Sequence, residues 1–541
     1  MKKLSGTYDI REVTDSVLTL VKKMTLKEKI YQTIIVHADE KFYSEDKEFL
    51  KNYAAEYPYG GVFVGEEIIG GTTAKGDTII QAIKNYNENA VLPPIICADT
   101  ESGCGYMFPD GRYSAFPRQM ALGAANDKSL AYDYGKFTAL AAKEIGVNLS
   151  LAPVADINMC FHNSIVNTRA ISDNPALVAD MVTEIVKGMQ DYGLGATAKH
   201  FPGDGTDYRD QHFVLSNNVL SFDEWKKSFG MVYKKLIDEG VMCIMAGHIA
   251  LPSYQKERLD EFALPATLSS ELIIDLLKNE MGYDGVVMSD ALIMNGFRTT
   301  YSDQLRSELE CFKCGIDMML WPTEEFAPAL EKAILSGEIP QSRLDDAVER
   351  ILAMKEKLGL IGGSKKFKEA PIEEINELNT RISQSAVTLV RDRKKILPQK
   401  DIKRVAIIAI TKFKDEVDSL KCMASEFEKC GTKVFLYENM VPDDNWEENL
   451  DFIIYVTFCK DHKPIGSFLL SPPWQSVTHQ REKVIVVALG SPYTINMNFP
   501  TVNMAIAAYS DTVGCQKAVV EAIFGEIPFN GKLPVELPSI G

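Results

Sequence analysis

Residues 195–212 read Gly-Ala-Thr-Ala-Lys-His-Phe-Pro-Gly-Asp-Gly-Thr-Asp-Tyr-Arg-Asp-Gln-His. The first part is an apolar run ending in two ionisable residues. The rest holds two Gly and one Pro without helical periodicity, so it reads as a buried strand running into a shaped loop. Seven other runs share the character of this strand: TIIVH (33–37), GGVFVG (60–65), PPIICAD (93–99), NLSLAPVAD (148–156), MCIMAGH (242–248), GVVMSD (285–290) and IDMMLW (316–321). Helical patterns separate them, beginning with MTLKEKIYQ (24–32), where Thr25 and Glu28 have capping-box spacing. Short apolar runs alternating with helices indicate a parallel sheet. Eight such units predict a closed (β/α)8 TIM-like barrel.

A barrel opens all its strand ends on one face. Asp99, Asp156, His200, His248 and Asp290, which end several of these runs, are therefore expected to converge there. Lys199 stands beside His200, and Asp210 lies two residues from His212, a spacing at which a carboxylate can hold an imidazole and set its tautomer. Two readings of Asp290 stand side by side: a carboxylate over the apolar barrel mouth, or the N-cap of a following helix. Arg169 lies in NTRAISDNP, where Asn167, Asp173 and Pro175 suggest an ordered turn.

The barrel domain is expected over 1–362, a linker over 363–400, and a smaller α/β sandwich domain over 401–541. A helix at about 373–386 and a strand in SAVTLVRDRKKILP (385–398) precede the second domain. Its buried strands are VAIIAI, KVFLY, DFIIYVTF, KVIVVALG and MAIAAYS. No period of repeats runs through the chain.

Composition narrows the functional classes. The 541 residues are 46% hydrophobic and 25% charged, values of an ordinary globular protein. A net charge of −17 argues against nucleic-acid or anionic-membrane partners. The opening MKKLSGTYDIREV lacks the apolar core of a signal peptide, and no apolar run reaches about 18 residues. The ten cysteines are scattered in apolar segments (Cys97, Cys243, Cys459), which fits reduced thiols and a cytoplasmic location. Cys311 and Cys314 form one C-x-x-C without a second ligand pair. Phosphate-loop, dinucleotide and zinc motifs are absent, so no cofactor and no metal is expected. What remains is a carboxylate able to attack, an imidazole able to move a proton, and hydrogen-bonding groups. Those parts suit displacement at a sugar carbon, as in retaining glycoside hydrolysis.

With these residues in view, the chain resembles glycoside hydrolase family 3, in its β-N-acetylglucosaminidase branch of NagZ-like enzymes. The resemblance rests on KHFPGDG followed by Asp-Gln-His, the Asp99–Gly103 D-x-E-x-G segment, FPRQMALGAA, LAPVADI, Asn167-x-Arg169 and SDAL at 289–292. ALGSPY and FGEIPFNGKLPVELP resemble the family's second domain. The resemblance implies Asp290 as nucleophile and His212 as general acid and then base, oriented by Asp210. It implies Asp99, Arg169, Lys199 and His200 as ligands of the sugar. An imidazole, with an ordinary pKa of about 6.5, can donate and accept near neutrality. The substrate implied is a small soluble GlcNAc-terminated oligosaccharide or muropeptide, as in peptidoglycan recycling. Alternatives are a family 3 β-glucosidase, a β-N-acetylglucosaminide phosphorylase, and a non-catalytic sugar-binding protein on the same scaffold.

The chain departs from the family pattern twice. Ser102-Gly-Cys-Gly-Tyr-Met107 replaces a segment that usually supplies an arginine, with Arg112 and Arg118 as candidate substitutes. Asn167-Thr-Arg-Ala-Ile-Ser172 alters the usual N-x-R-S-F-G, with Ala170-Ile-Ser172 in place of Ser-Phe-Gly. His248 is read as structural.

Overall fold

The computed structural model describes residues 13–65, 68–69, 72–73, 76–108, 112–363, 370–411, 414–438, 449–458 and 481–539. Cys459 and residues 364–369 of the expected linker lie outside them. The chain forms two units that interleave in sequence. One comprises Met1–Ala115, Ala131–Ile157 and Val182–Ile375; the other comprises Phe116–Leu130, Asn158–Met181 and Asn376–Gly541.

The first unit is the barrel. Its strands are β1 (Ile34–His37), β2 (Gly61–Phe63), β3 (Ile95–Ala98), β4 (Leu149–Ser150), β5 (Gly195–Phe201), β6 (Cys243–Ala246), β7 (Val286–Ser289) and β8 (Met319–Leu320). All eight anticipated runs supply one. They pair in parallel in the order β7-β6-β5-β4-β3-β2-β1-β8. A parallel bridge between Met288 and Met318 joins the two ends of the sheet. Every residue of β5 is buried, as expected of a strand covered on both faces. Val286, Val287 and Met288 are at most 1% exposed, each worth about 1.5–3 kcal/mol of burial.

Local signals set the helices. Thr25 accepts from the Glu28 N–H while the Glu28 side chain takes the Thr25 N–H, the anticipated capping box. Ser221 and Glu224 repeat it ahead of Phe222–Lys227. Lys355, in the helix Gln341–Lys357, is wholly buried, with Nζ donating to Gln32 Oε1 at 2.7 Å. Burial pushes its amine down to about 7. The Cys311 and Cys314 thiols are also buried. Burial drives Cys311 well up and Cys314 up to about 12, which leaves both as packing groups.

The second unit is built on a six-stranded sheet: β9 (Thr388–Asp392), β10 (Arg404–Ile410), β11 (Lys433–Glu438), β12 (Phe452–Thr457), β13 (Val484–Ala488) and β14 (Met504–Ala507). The order is β9-β14-β13-β12-β10-β11, with only β9 antiparallel. Its strands begin ahead of residue 401. Val405, Ile407, Ile454, Val456, Ile485, Val487 and Ile506 pack with Phe427 and Phe524 in its core. The segment after Gly531 holds the two early pieces of chain within this unit. The Lys532 N–H donates to Ala124 O at 3.1 Å, Ser172 Oγ bonds Pro534 O, and the Glu536 N–H donates to Asp173 Oδ2 at 2.6 Å. No described helix is long and apolar enough to cross a membrane.

Candidate active site

The carboxyl end of β7 carries Asp290, 8% exposed. Its N–H donates to Ala246 O of β6 at 2.9 Å, and its Oδ1 accepts the Ala291 N–H at 2.8 Å. The next helix, Asn295–Arg298, is capped by Met294, so the helix-cap reading of Asp290 falls. Burial pushes the Asp290 carboxyl up, but the imidazoles of His200, His248 and His212 and the Ala291 N–H pull harder. The net shift is downward, which keeps the carboxylate charged.

The three imidazoles do different things. His248 is wholly buried, with Nε2 3.0 Å from Ala291 O and Nδ1 3.0 Å from Thr267 Oγ1. A carbonyl only accepts, so Nε2 holds the proton and the ring braces the segment behind Asp290. Burial lowers its pKa beyond what Asp290 restores. His200, at the end of β5, places Nδ1 2.7 Å from Asp156 Oδ2. Asp156 also takes the N–H groups of His200 (3.1 Å) and Asp204 (2.7 Å), tying the strand to its loop.

His212 stands on that loop, with Nδ1 2.7 Å from Asp210 Oδ1 and its own N–H on the same oxygen at 2.9 Å. The carboxylate claims the Nδ1 proton, which makes Nε2 the ring nitrogen able to give or take one. The loop is shaped by packing. Asn218 Nδ2 donates to Gly203 O at 3.0 Å and Trp225 Nε1 to Pro202 O at 2.8 Å. Gly203 has φ +120°, and a Cβ there would fall 2.0 Å from the Phe229 ring. The far side docks on the chain after β7: the Asn295 N–H donates to His212 O at 3.1 Å and the Gly296 N–H to Gln211 O at 3.2 Å. His212 and Asp290 therefore belong to one electrostatic group on bonded segments.

Lys199 Nζ lies 2.7 Å from Asp99 Oδ1 and 2.6 Å from Glu101 Oε1. Glu101, 7% exposed, was not among the sequence candidates, although it stands within the quoted D-x-E-x-G segment. Around the same mouth, His37, Phe63 and Trp321 at the ends of β1, β2 and β8 form an aromatic cluster with centroids 5.1–5.5 Å apart. Trp321 has φ +58°, rare for a bulky residue. An aromatic directly after an apolar run was the available signal.

Arg169 lies in the second unit, on the turn Asn167–Arg169. Its Nη1 donates to Ile165 O at 3.1 Å, and its carbonyl accepts from Gln119 Nε2 at 2.6 Å. Of the two arginines proposed as substitutes, Arg112 is ion-paired with Asp77 and 3.9 Å from Glu144. Arg118 precedes the helix Gln119–Ala125 in the second unit.

The barrel's strand ends gather a charged buried carboxylate, an Asp-held imidazole and a lysine between carboxylates, groups of the kinds that nucleophilic and acid/base catalysis uses. A model described as the glycosyl hydrolase family 3 N terminal domain matches residues 25–354. The chain belongs to glycosyl hydrolase family 3, and is a glycoside hydrolase. A β-N-acetylglucosaminidase/β-glucosidase of Cellulomonas fimi is 28% identical over 527 residues, 90% of this chain and 92% of that protein. Among solved structures, a β-glucoside phosphorylase superposes with TM-score 0.85 at 25% identity, over 99% of this chain and 97% of its own. A family 3 β-N-acetylglucosaminidase from Paenibacillus sp. str. FPU-7 does so with 0.82 at 25%, over 95% and 99%.

Proposed function

We propose that the chain is a retaining, exo-acting β-N-acetylglucosaminidase. Supporting this is the pairing of a charged Asp290 with His212, whose Nδ1 is fixed 2.7 Å from Asp210. Asp290 attacks the anomeric carbon as the bond to the leaving oxygen breaks, and the His212 imidazolium passes its Nε2 proton to that oxygen. A glycosyl-aspartate ester results. Neutral His212 then takes a proton from water, the water oxygen attacks the same carbon, and the Asp290 carboxylate departs. Asp99, Lys199 and His200 bind the sugar hydroxyls. Arg169 is assigned to the sugar on its Asn167-x-Arg169 motif. The substrate class is a soluble GlcNAc-terminated oligosaccharide or muropeptide. Nine described cysteines are free thiols, which supports a cytoplasmic setting.

Aryl β-N-acetylglucosaminide and β-glucoside turnover tests the sugar: faster cleavage of the glucoside sinks the assignment. Intact mass and peptide mapping after quenched turnover should find one glycosyl unit on Asp290. A second reading, phosphate in place of water, is supported by the acid/base being an imidazole, which repels an incoming anion less than a carboxylate would. The phosphorylase likeness favours it too. Sugar 1-phosphate formed only when inorganic phosphate is added would establish it.

A further inference from the structure

Gln211 lies between the two members of the Asp210/His212 pair, yet it is 0% exposed. Its Oε1 accepts the His248 N–H at 2.8 Å. Its carbonyl takes the Gly296 N–H at 3.2 Å, beside the His212 carbonyl bonded to the Asn295 N–H. The residue therefore ties the loop to the exit of β6 through its side chain and to the exit of β7 through its main chain. The fit is close on both sides. A Cβ on Gly247 would come within 3.1 Å of Gln211 Oε1, and one on Gly296 within 2.4 Å of Gln211 O.

The amide orientation follows from chemistry, since only the oxygen can accept from His248. That leaves Nε2 buried without a hydrogen-bond partner among the described residues. An unsatisfied buried amide is destabilising, so filling space does not explain a glutamine where a leucine or methionine would pack. The remaining benefit is geometric. The β6 exit already holds Asp290 through Ala246 O. Anchoring the loop to that exit sets the acid/base and the nucleophile in one frame.

We propose that Gln211 is a positioning residue for this reaction: its bond to the His248 N–H fixes the height at which His212 stands over the sugar held at Asp290. The proposal rests on the acid/base reading of His212 given above. Gln211 touches no substrate in this scheme and acts through its neighbour.

The test separates positioning from mere packing by the leaving group. A dinitrophenyl glycoside departs without protonation, whereas a phenyl or alkyl glycoside needs the acid. Gln211→Met keeps the volume and removes the acceptor. It should lose roughly 10- to 100-fold in kcat/KM on the phenyl glycoside, the scale of a small misplacement of a catalytic group, and under about threefold on the dinitrophenyl one. Gln211→Glu keeps an acceptor for His248 and should restore most of the ratio between the two substrates. Gly296→Ala, which displaces the Gln211 carbonyl from the other side, should reproduce the selective loss and serves if the Met variant folds poorly. Equal losses on both glycosides, or no loss, overturn the proposal. His212→Ala is the reference. If it also loses equally on both, the acid/base reading itself fails; if it loses selectively and the Gln211 and Gly296 variants do not, only the positioning role fails.

Discussion

Replacing Asp210 by Asn isolates the charge behind the proton shuttle. The shape is nearly kept, and an amide oxygen can still accept from His212 Nδ1 at the 2.7 Å seen for the carboxylate. What disappears is the charge assistance. A hydrogen bond to a charged group is worth about 1.5–3 kcal/mol against about 0.5–1.5 for a neutral one, so the charge itself carries about 1–1.5 kcal/mol. The His212 side chain is 34% exposed and Asp210 is 8%, so solvent screens part of this and the lower half of the range applies. A loss of about 1 kcal/mol in holding the imidazolium corresponds to roughly fivefold in rate at about 1.4 kcal/mol per decade. The loss should fall only on substrates whose leaving group needs the proton. The assay is kcat/KM across aryl glycosides of graded leaving-group acidity: Asp210→Asn should steepen the dependence and converge with the parent enzyme at the most acidic phenols. A uniform drop across the series, including dinitrophenyl, would refute the reasoning, because the carboxylate would then be supporting structure rather than protonation.

Three further outcomes follow from charges held inside the barrel unit. Lys199→Met strands Glu101 and the partly exposed Asp99 beside each other; stability in urea should fall by about 3 kcal/mol, with KM raised, and added Glu101→Gln should recover part of the stability. His248 has a folded pKa below the ordinary 6.5, so the unfolded chain binds the extra proton first. Stability should be full above about pH 6.5 and decline as pH falls below it, and His248→Asn should flatten that slope in urea titrations at pH 5–7. Lys355 has a folded pKa lowered to about 7, so between there and the unfolded value of about 10.4 the unfolded state carries more protons and stability rises with pH. The gain from pH 7 to pH 9 should be about 2 kcal/mol, and Lys355→Met should lack it.

The barrel was legible because its strands are short apolar runs, all of them but β1 buried throughout. Where the run overstated the strand, proline explains it: NLSLAPVAD yields only Leu149–Ser150, since Pro153 brings no N–H to a ladder. The Asp210/His212 bond was legible because a single residue, Gln211, separates its partners. The Asp156–His200 bond spans 44 residues, and Asp99, Glu101 and Lys199 meet across about a hundred. No local pattern encodes such meetings. The membership of residues 116–130 and 158–181 in the second unit was equally invisible, because their partners lie over 350 positions away. Gln211 gave no signal at all: a polar residue in a polar loop reads as solvated until its burial is known.

That interleaving has a consequence for how the polypeptide matures. During synthesis, residues 116–130 and 158–181 leave the ribosome with the barrel sequence, but the carbonyls and amides that receive them belong to residues 532–536. More than 350 further residues must be made before those two early pieces meet these partners. Completion of the second unit therefore waits on chain made long after its first two pieces, and the order of synthesis is not the order in which that unit can close.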